Sequence, residues 1–316
     1  MPVEEVHDGV LVEPNHVYVI PPNTSLTLVE GSLRLAPRSG RSPHLPIDHF
    51  FFSLADEQQH LAIGIILSGT ASDGAEGIRA IKARCGITFV QDDQSAQFRG
   101  MPQTARATGA VDYTRAPVEI AKELARISQH RFLVGSDGQP RAEVLPDGQV
   151  ELQKIYQLVE RLTHVDFALY KQSTVRRRIG RRMIVHRCDN VADYLALLRQ
   201  NVDEVQELYK DILICVTSFF RDPAAFQALT SHLDRMVREA VEGEPIRVWV
   251  AGCATGEEVY SLGICLRELI EQQGRRTTVQ LFGTDISEAA LARARWNLFR
   301  DDLAGSLCRA AAGILP

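Results

Sequence analysis

The sequence has no Cys-x-x-Cys pair and no Cys/His spacing suited to zinc, although six cysteines are present: Cys85, Cys188, Cys215, Cys253, Cys265 and Cys308. Scattered in this way they read as small reduced hydrophobes rather than a disulfide framework or a metal site, which points to a cytoplasmic setting. Long apolar runs are also missing. The longest, Ala62–Leu67 around Gly64, is far too short to span a bilayer, and the acidic opening MPVEEVHDG has no apolar signal core. An excess of one charge is absent as well: 35 Lys+Arg against 40 Asp+Glu leave −5, too mild for bulk electrostatic capture of nucleic acid. There is no internal repeat. What is present is an ordinary globular composition, 45% hydrophobic and 24% charged, in 316 residues, a length that predicts about two domains.

Along the chain, HVYVI reads as a strand, and SLTLVEGSLRL as a hairpin about the Glu30-Gly31 turn. APRSGRSPHLPID reads as a polar, Pro-rich surface loop. LAIGIIL is a buried strand, SGTASDGAEG a glycine-punctuated loop, and a helix carrying Ile78 and Ile81 leads to the strand GITFV, a β-loop-α-β unit. A short helix in MPQTARATGA, a strand at VDY and a Pro-initiated helix PVEIAKELARIS follow. Residues 129–150 hold two Asp-Gly pairs and two prolines with weak periodicity, as a linker would. Beyond them Leu152, Ile155, Tyr156, Val159 and Leu162 recur at helical spacing, and further helices fall at 173–187, 191–200 and 202–213. Asp222-Pro223 opens another helix as N-cap and first-turn proline. After Gly243, strand and helix alternate: IRVWVAG, then CATGEEVYSLGICLRELIEQ, VQLFGTD and SEAALARARWNLF, the start of a doubly wound sheet.

Two stretches invite a chemical reading. In RVWVAGCATGEEVYSLG, Gly252, Ala254 and Gly256 are small where a backbone could approach a ligand at a helix N-terminus. A tight βα turn explains the same residues, because the spacing is not that of the dinucleotide fingerprint. Asp285, at the end of the next strand, strengthens the ligand reading, since an acid there can accept both hydroxyls of a ribose. Between Lys171 and Arg187 there are seven basic residues and no acidic one. Val175, Ile179 and Met183 form an inward stripe, so Arg176, Arg177, Arg178, Arg181 and Arg182 are expected to fan outward. A solvated face, a nucleic-acid patch and a dock for acidic helices all fit. The absence of interleaved aromatics disfavours single-strand binding.

GCATGEEVYSLG, FGTDISEAALARAR, FALYKQSTVRRRIGRRM and LICVTSFFRDPAAF resemble the chemotaxis receptor glutamate methyltransferases (CheR-type) over about residues 151–300. The resemblance implies S-adenosylmethionine as cofactor and an acidic helical substrate. It places Thr217 and Arg221 near the methionyl part and the reaction centre, Glu257 at the cofactor's amino end and Asp285 at the ribose, with Gly252 in the cofactor loop. The structural alternatives are that Arg221 braces a helix start and that Glu257 complements a helix dipole. Cys215 stands where well-known members have asparagine. For the arginine helix the resemblance favours the receptor dock.

Residues 4–128, including LAIGIILSGTASDGAEGIRAIKARCGITFV, HDGVLVEPNHVYVIPPN and LPIDHFFFSLA, are similar to chemotaxis methylesterases (CheB-type), serine hydrolases in which an Asp orients a His that deprotonates a Ser. The family's aspartate falls on Asp73. Its Ser and His match no position here: Ser68 and Ser72 lie outside a nucleophile elbow, and His7, His16, His44, His49 and His60 align with none of the catalytic positions. Asp73 is therefore expected to be a catalytic acid by descent and a loop-capping acid in this chain.

The expected fold is α/β: a partial parallel-sheet methylesterase domain (1–128), a linker (129–150), an all-α CheR-type module (151–230) and a truncated doubly wound, Rossmann-like methyltransferase domain (231–316). The chain is expected to be a piece of a longer fused methylesterase–methyltransferase with impaired activity. Expected partners are glutamate-bearing chemoreceptor helices, with a histidine kinase a further candidate, and no nucleic acid, membrane insertion or metal is expected. The alternative is a non-catalytic module that docks acidic helices through Arg176–Arg182.

Overall fold

A computed structural model describes residues 1–38, 45–130, 145, 150–213, 217, 219–241 and 243–295. The chain divides into two compact units, Met1–Ile214 and Cys215–Pro316.

The first unit opens with short strands. β1 (Val3–Glu5) pairs in parallel with β3 (Val17–Val19), while β2 (Val10–Leu11), β4 (Thr24–Val29) and β5 (Ser32–Pro37) form an antiparallel sheet in the order β2-β5-β4. The β4–β5 hairpin turns on Glu30 and Gly31, both at positive φ (50° and 72°), as a two-residue turn matched to strand twist requires. Leu26, Leu28 and Leu33 turn inward and pack against Phe50 and Leu54 of α1 (Pro46–Gln58). This helix was not expected. Its proline sits in the first turn, where the missing N–H has no intrahelical partner in any case, so the sequence LPID reads as loop although it begins a helix.

A three-stranded parallel sheet follows: β6 (Ile63–Ile66), β7 (Ile87–Gln91) and β8 (Tyr113–Arg115), connected by α2 (Ala75–Ala83) and α3 (Gly100–Ala107) and followed by α4 (Pro117–Ile127). β8 begins at Tyr113 rather than at the expected VDY. One face of the sheet packs Ile66 and Val90 on Phe51, Ile78 and Ile81. Gly64 permits this close approach, because a Cβ there would lie 2.6 Å from Ile81 Cδ1. On the other face Ile87, Phe89 and Tyr113 join a single hydrophobic cluster with Ile120 and Ile127 of α4 and with the helices that follow.

Those helices are α5 (Val150–Thr163), α6 (Gln172–Val185), α7 (Val191–Gln200) and α8 (Val202–Ile212). Asn190 and Asn201 cap α7 and α8 by accepting from the N–H groups of Asp193 and Glu204. Most of the expected linker, 131–144 and 146–149, lies outside the described residues.

In the second unit Asp222 caps α9 (Pro223–Glu239), which runs through residue 230, so a domain boundary at 230/231 would fall inside a helix. β9 (Ile246–Ala251), α10 (Glu257–Gln272), β10 (Val279–Thr284) and α11 (Glu288–Arg295) complete the described part. β9 and β10 pair in parallel, Ala251 opposite Thr284, with α10 as the crossover. Ile246 and Val250 face a core of Phe220, Phe226, Leu233, Leu262, Cys265 and Leu266. Trp249 and Phe282 lie on the opposite, exposed face, where Trp249 Nε1 donates to Thr284 Oγ1. Cys215, Cys308 and the end of the expected helix beyond residue 295 are outside the described residues.

Candidate functional site

The loop after β9 is held in an unusual conformation. Gly252, Ala254 and Gly256 all have positive φ, at 73°, 48° and 100°. Three such residues in five favour small side chains, and the strain is offset by hydrogen bonds. Gly252 and Cys253 donate their N–H groups to Thr284 O at 2.7 and 3.0 Å, and Gly256 donates to Cys253 O. Asp285 completes the arrangement: Oδ2 accepts from Ala254 N–H at 2.8 Å and Oδ1 from Ser287 N–H at 2.8 Å. The carboxylate thus joins the two strand ends and places a negative charge beside the loop. A Cβ on Gly252 would meet nothing within 4 Å, so the loop borders open space. Glu257 is the first residue of α10, and its carboxylate accepts from Thr255 Oγ1 at 2.6 Å. In this position it both complements the helix dipole and lies beside the loop.

Phe220, just before α9, is tied to the same helix. Phe220 N–H donates to Ser261 Oγ at 3.0 Å, and Ser261 Oγ donates to Glu257 O at 2.7 Å. Sequence reasoning did not single out Ser261. It is fully buried and one turn after Glu257, and a buried hydroxyl at that spacing was the available signal. Phe220 and Asp222 both have positive φ, which marks a strained approach to α9. Thr217 is half-buried and Arg221 exposed. Loop, acid, Glu257 and the Phe220–Asp222 turn therefore belong to one connected element of the second unit. Its residues fit a nucleoside-bearing cofactor: an open glycine-lined loop, a helix N-terminus and an acid at the carboxyl end of the adjacent strand.

Asp73 lies on the β6–α2 loop. Its Oδ2 accepts from Ile47 N–H and its Oδ1 from Asp48 N–H, both at 3.0 Å, so it caps the N-terminus of α1. Beside it Asp48 is buried and accepts from Gly77 N–H at 2.7 Å. Burial pushes its carboxyl up to about 6, with the negative charges of Asp73 and Glu76 adding to the rise and the Gly77 hydrogen bond opposing it.

The arginine helix departs most from expectation. Arg178, Arg181 and Arg182 are 4%, 2% and 7% exposed, so they do not fan outward. Arg178 donates to Lys82 O and Ala83 O at the end of α2, at 2.8 and 2.6 Å. Arg181 donates to Gly86 O and pairs with Asp112 and Asp211, and Arg182 pairs with Glu204. Glu204 also accepts from Tyr194 Oη and contacts His186 Nε2. Burial opposes ionisation of Glu204, but the hydrogen bonds from His186 and Arg182 outweigh it and hold the carboxyl below its usual range. The physical reason is that the seven consecutive residues Arg178–Ile184 are all buried, so the C-terminal half of α6 is covered on every side and the positions next to its apolar stripe are covered too. Arg176 and Arg177 remain part-exposed, Arg177 reaching Gln59 Oε1 at 3.5 Å. Among the described residues no group of His, Cys, Asp and Glu could hold a metal ion, and no helix is long and apolar enough to cross a membrane.

Three family models match in chain order: CheB methylesterase over residues 1–124, the all-alpha domain of CheR methyltransferase over 150–213, and the CheR SAM binding domain over 215–311. The protein is therefore a fusion of chemotaxis-type methylation modules. More particularly, the chain joins a segment of the CheB methylesterase family to both domains of the CheR methyltransferase family, and S-adenosylmethionine is the cofactor that its last domain indicates. A 104.1 kDa protein of Rhodobacter capsulatus, described as uncharacterized, is 38% identical over 97% of this chain and 34% of its own length. A protein-glutamate methylesterase/protein-glutamine glutaminase of Myxococcus xanthus is 34% identical over 41% of the chain and 39% of its own length. A chemotaxis protein methyltransferase of Borreliella burgdorferi is 27% identical over 48% of the chain and 56% of its own length. The chain thus spans about a third to just over half the length of these relatives. The solved CheB methylesterase catalytic domain of Thermotoga maritima is 25% identical, with a TM-score of 0.37, over 39% of this chain and 68% of that one.

Proposed function

We propose that this chain works in a protein that methylates glutamate side chains of chemoreceptor-like helices from S-adenosylmethionine, coupled to a methylesterase-type segment. The observation that carries the reading is the Gly252–Gly256 loop, pinned by Asp285 and opening onto free space at Gly252. S-adenosylmethionine supplies the methyl group. The N-terminus of α10 binds its polar end together with Glu257, Asp285 accepts the ribose hydroxyls through its remaining lone pairs, and Thr217 and Arg221 orient the groups at the reaction centre. The substrate carboxylate needs no activation by a base at neutral pH, since it is already ionised, so the chain's contribution is proximity and alignment. The setting proposed is cytoplasmic. In the methylesterase-type segment Asp73 serves as a helix cap.

Titration calorimetry with S-adenosylmethionine tests this. Asp285→Ala removes the carboxylate and should weaken binding at least about tenfold, or ~1.4 kcal/mol. Unchanged affinity in that variant, or no binding by the unaltered chain, would overturn the assignment. Docking of acidic helices through α6 alone is the poorer reading, because only Arg176 and Arg177 of the five arginines retain exposure.

A further inference from the structure

The buried arginines lie where two families of domain meet within one compact unit. Their partners on the methylesterase-type side are the last carbonyls of α2, Gly86 O before β7 and the Asp112 carboxylate before β8. Arg178 satisfies carbonyls that a helix end leaves without partners, and its charge suits the negative end of the α2 dipole. The exchange is reciprocal: Arg126 Nη2 donates to Ile184 O and Tyr113 Oη to Val185 O, both at 2.9 Å, so the methylesterase-type segment caps the end of α6. Lys82 stands between Asp112 and Asp211, at 3.8 and 3.5 Å. Around these polar contacts the apolar core is continuous, with Ile87, Phe89 and Tyr113 of the sheet in one cluster with Ile155, Ile179, Met183 and Leu208 of the helical module. The helical module thus forms, with α4, the second layer over the parallel sheet, a layer that such sheets require.

We propose that the methylesterase-type segment is the resident partner of the α6 arginine face. It occupies Arg178 and Arg181 in the place of an external acidic helix, while Arg182 is held by Glu204 of α8, and it makes residues 45–130 and 150–213 open as one cooperative unit. The inference rests on the contacts of α6 and is independent of the cofactor reading. If the two modules were separate domains joined by a tether, each would open by its own equilibrium. A shared core and exchanged caps tie those equilibria together.

Two measurements on the whole chain decide it. The first is native-state hydrogen exchange read by mass spectrometry, for the unaltered chain and for Asp112→Asn. Peptides covering β7 and peptides covering α6 should have protection factors within threefold of each other, and Asp112→Asn should lower both by the same factor, tenfold or more. Loss confined to α6 and α8 with β7 unchanged would overturn the proposal. Where Asp112→Asn fails to fold, the unaltered chain through a urea series still decides, because protection of β7 and α6 must converge on one opening, and separate openings would refute it. The second is arginine labelling with phenylglyoxal. Arg177 should react at least tenfold faster than Arg178, Arg181 and Arg182, with or without a glutamate-rich helical peptide. Equal rates would show that the face is open.

Discussion

Asp73 and Asp48 show how two neighbouring carboxylates acquire different work. Asp73 faces two backbone N–H groups of α1, and both of its oxygens are used in capping. Asp48, in the first turn of that helix, is buried beside two acidic neighbours, and the backbone hydrogen bonds from Gly77 and Gly74 do not offset the burial, so its charged form is disfavoured. A carboxyl raised in the folded state from 3.8 to about 6 binds more protons when folded than when unfolded across that interval. Stability contributed by this group is therefore full below about pH 4 and falls as pH rises through 6. Asp48→Asn keeps an oxygen for Gly77 and removes the charge. It should raise thermal stability at pH 8 by about 1–2 kcal/mol, roughly 2–8 °C for a unit of this size, and change little at pH 4. Scanning calorimetry at the two pH values checks this, and an equal change at both would show that the charge of Asp48 is of no consequence.

At the scale of the element, α6 and α8 form a pair in which each helix presents buried charge to the other. Breaking such a pair from one side leaves an uncompensated buried ion. Glu204→Gln should cost about 3 kcal/mol in urea unfolding at pH 7, since Arg182 loses its nearer counter-charge and keeps only Asp211 at 3.7 Å, and the amide nitrogen removes an acceptor from Tyr194 or His186. Because the folded state holds Glu204 below its usual range, its contribution is present above pH 4.5 and fades as pH falls further, so the variant and the unaltered chain should converge in acid. The elements themselves were legible. Apolar periodicity located α5 through α8 and the β6–α2–β7 unit, and Asp222-Pro223 located the start of α9. The glycine loop and Asp285 were legible as a pair, because strand ends dictate where such residues fall. The burial of Arg178, Arg181 and Arg182 was not legible from α6 by itself, since a lone helix pattern shows one stripe and not how many neighbours surround it. A signal did exist on α8: Glu204 and Asp211 each stand beside members of the Val205, Leu208, Ile212 stripe, seven residues apart, and acids at such positions imply buried cations opposite. The helix α1 stayed hidden because its first-turn proline and its run of phenylalanines resemble a loop followed by a strand.

At the scale of the whole molecule, the net charge of −5 conceals how charge is placed. Residues 151–230 carry 12 Lys/Arg against 10 Asp/Glu, which in sequence looks like a basic surface. Three of those arginines are buried, together with Glu204 and Asp211, so half of the net excess of two positive charges is internal. An acidic substrate helix meets only scattered exposed cations on the helical module. One exposed ion pair is worth at most about 1 kcal/mol and is screened over ~10 Å at 0.1 M salt, whereas a true docking arginine costs 2 kcal/mol or more when lost. These magnitudes separate two outcomes in a methyl-transfer assay with radiolabelled S-adenosylmethionine and a glutamate-bearing receptor helix. Arg177→Glu should change KM by less than about fivefold, the effect of one exposed pair. Arg221→Ala, next to the α9 cap, should lower kcat at least about tenfold, the loss expected of a group that aligns the reacting carboxylate. A KM rise of thirtyfold or more in Arg177→Glu would instead make α6 a working dock, its remaining exposed arginines sufficient to hold the substrate after three of the five have been turned inward.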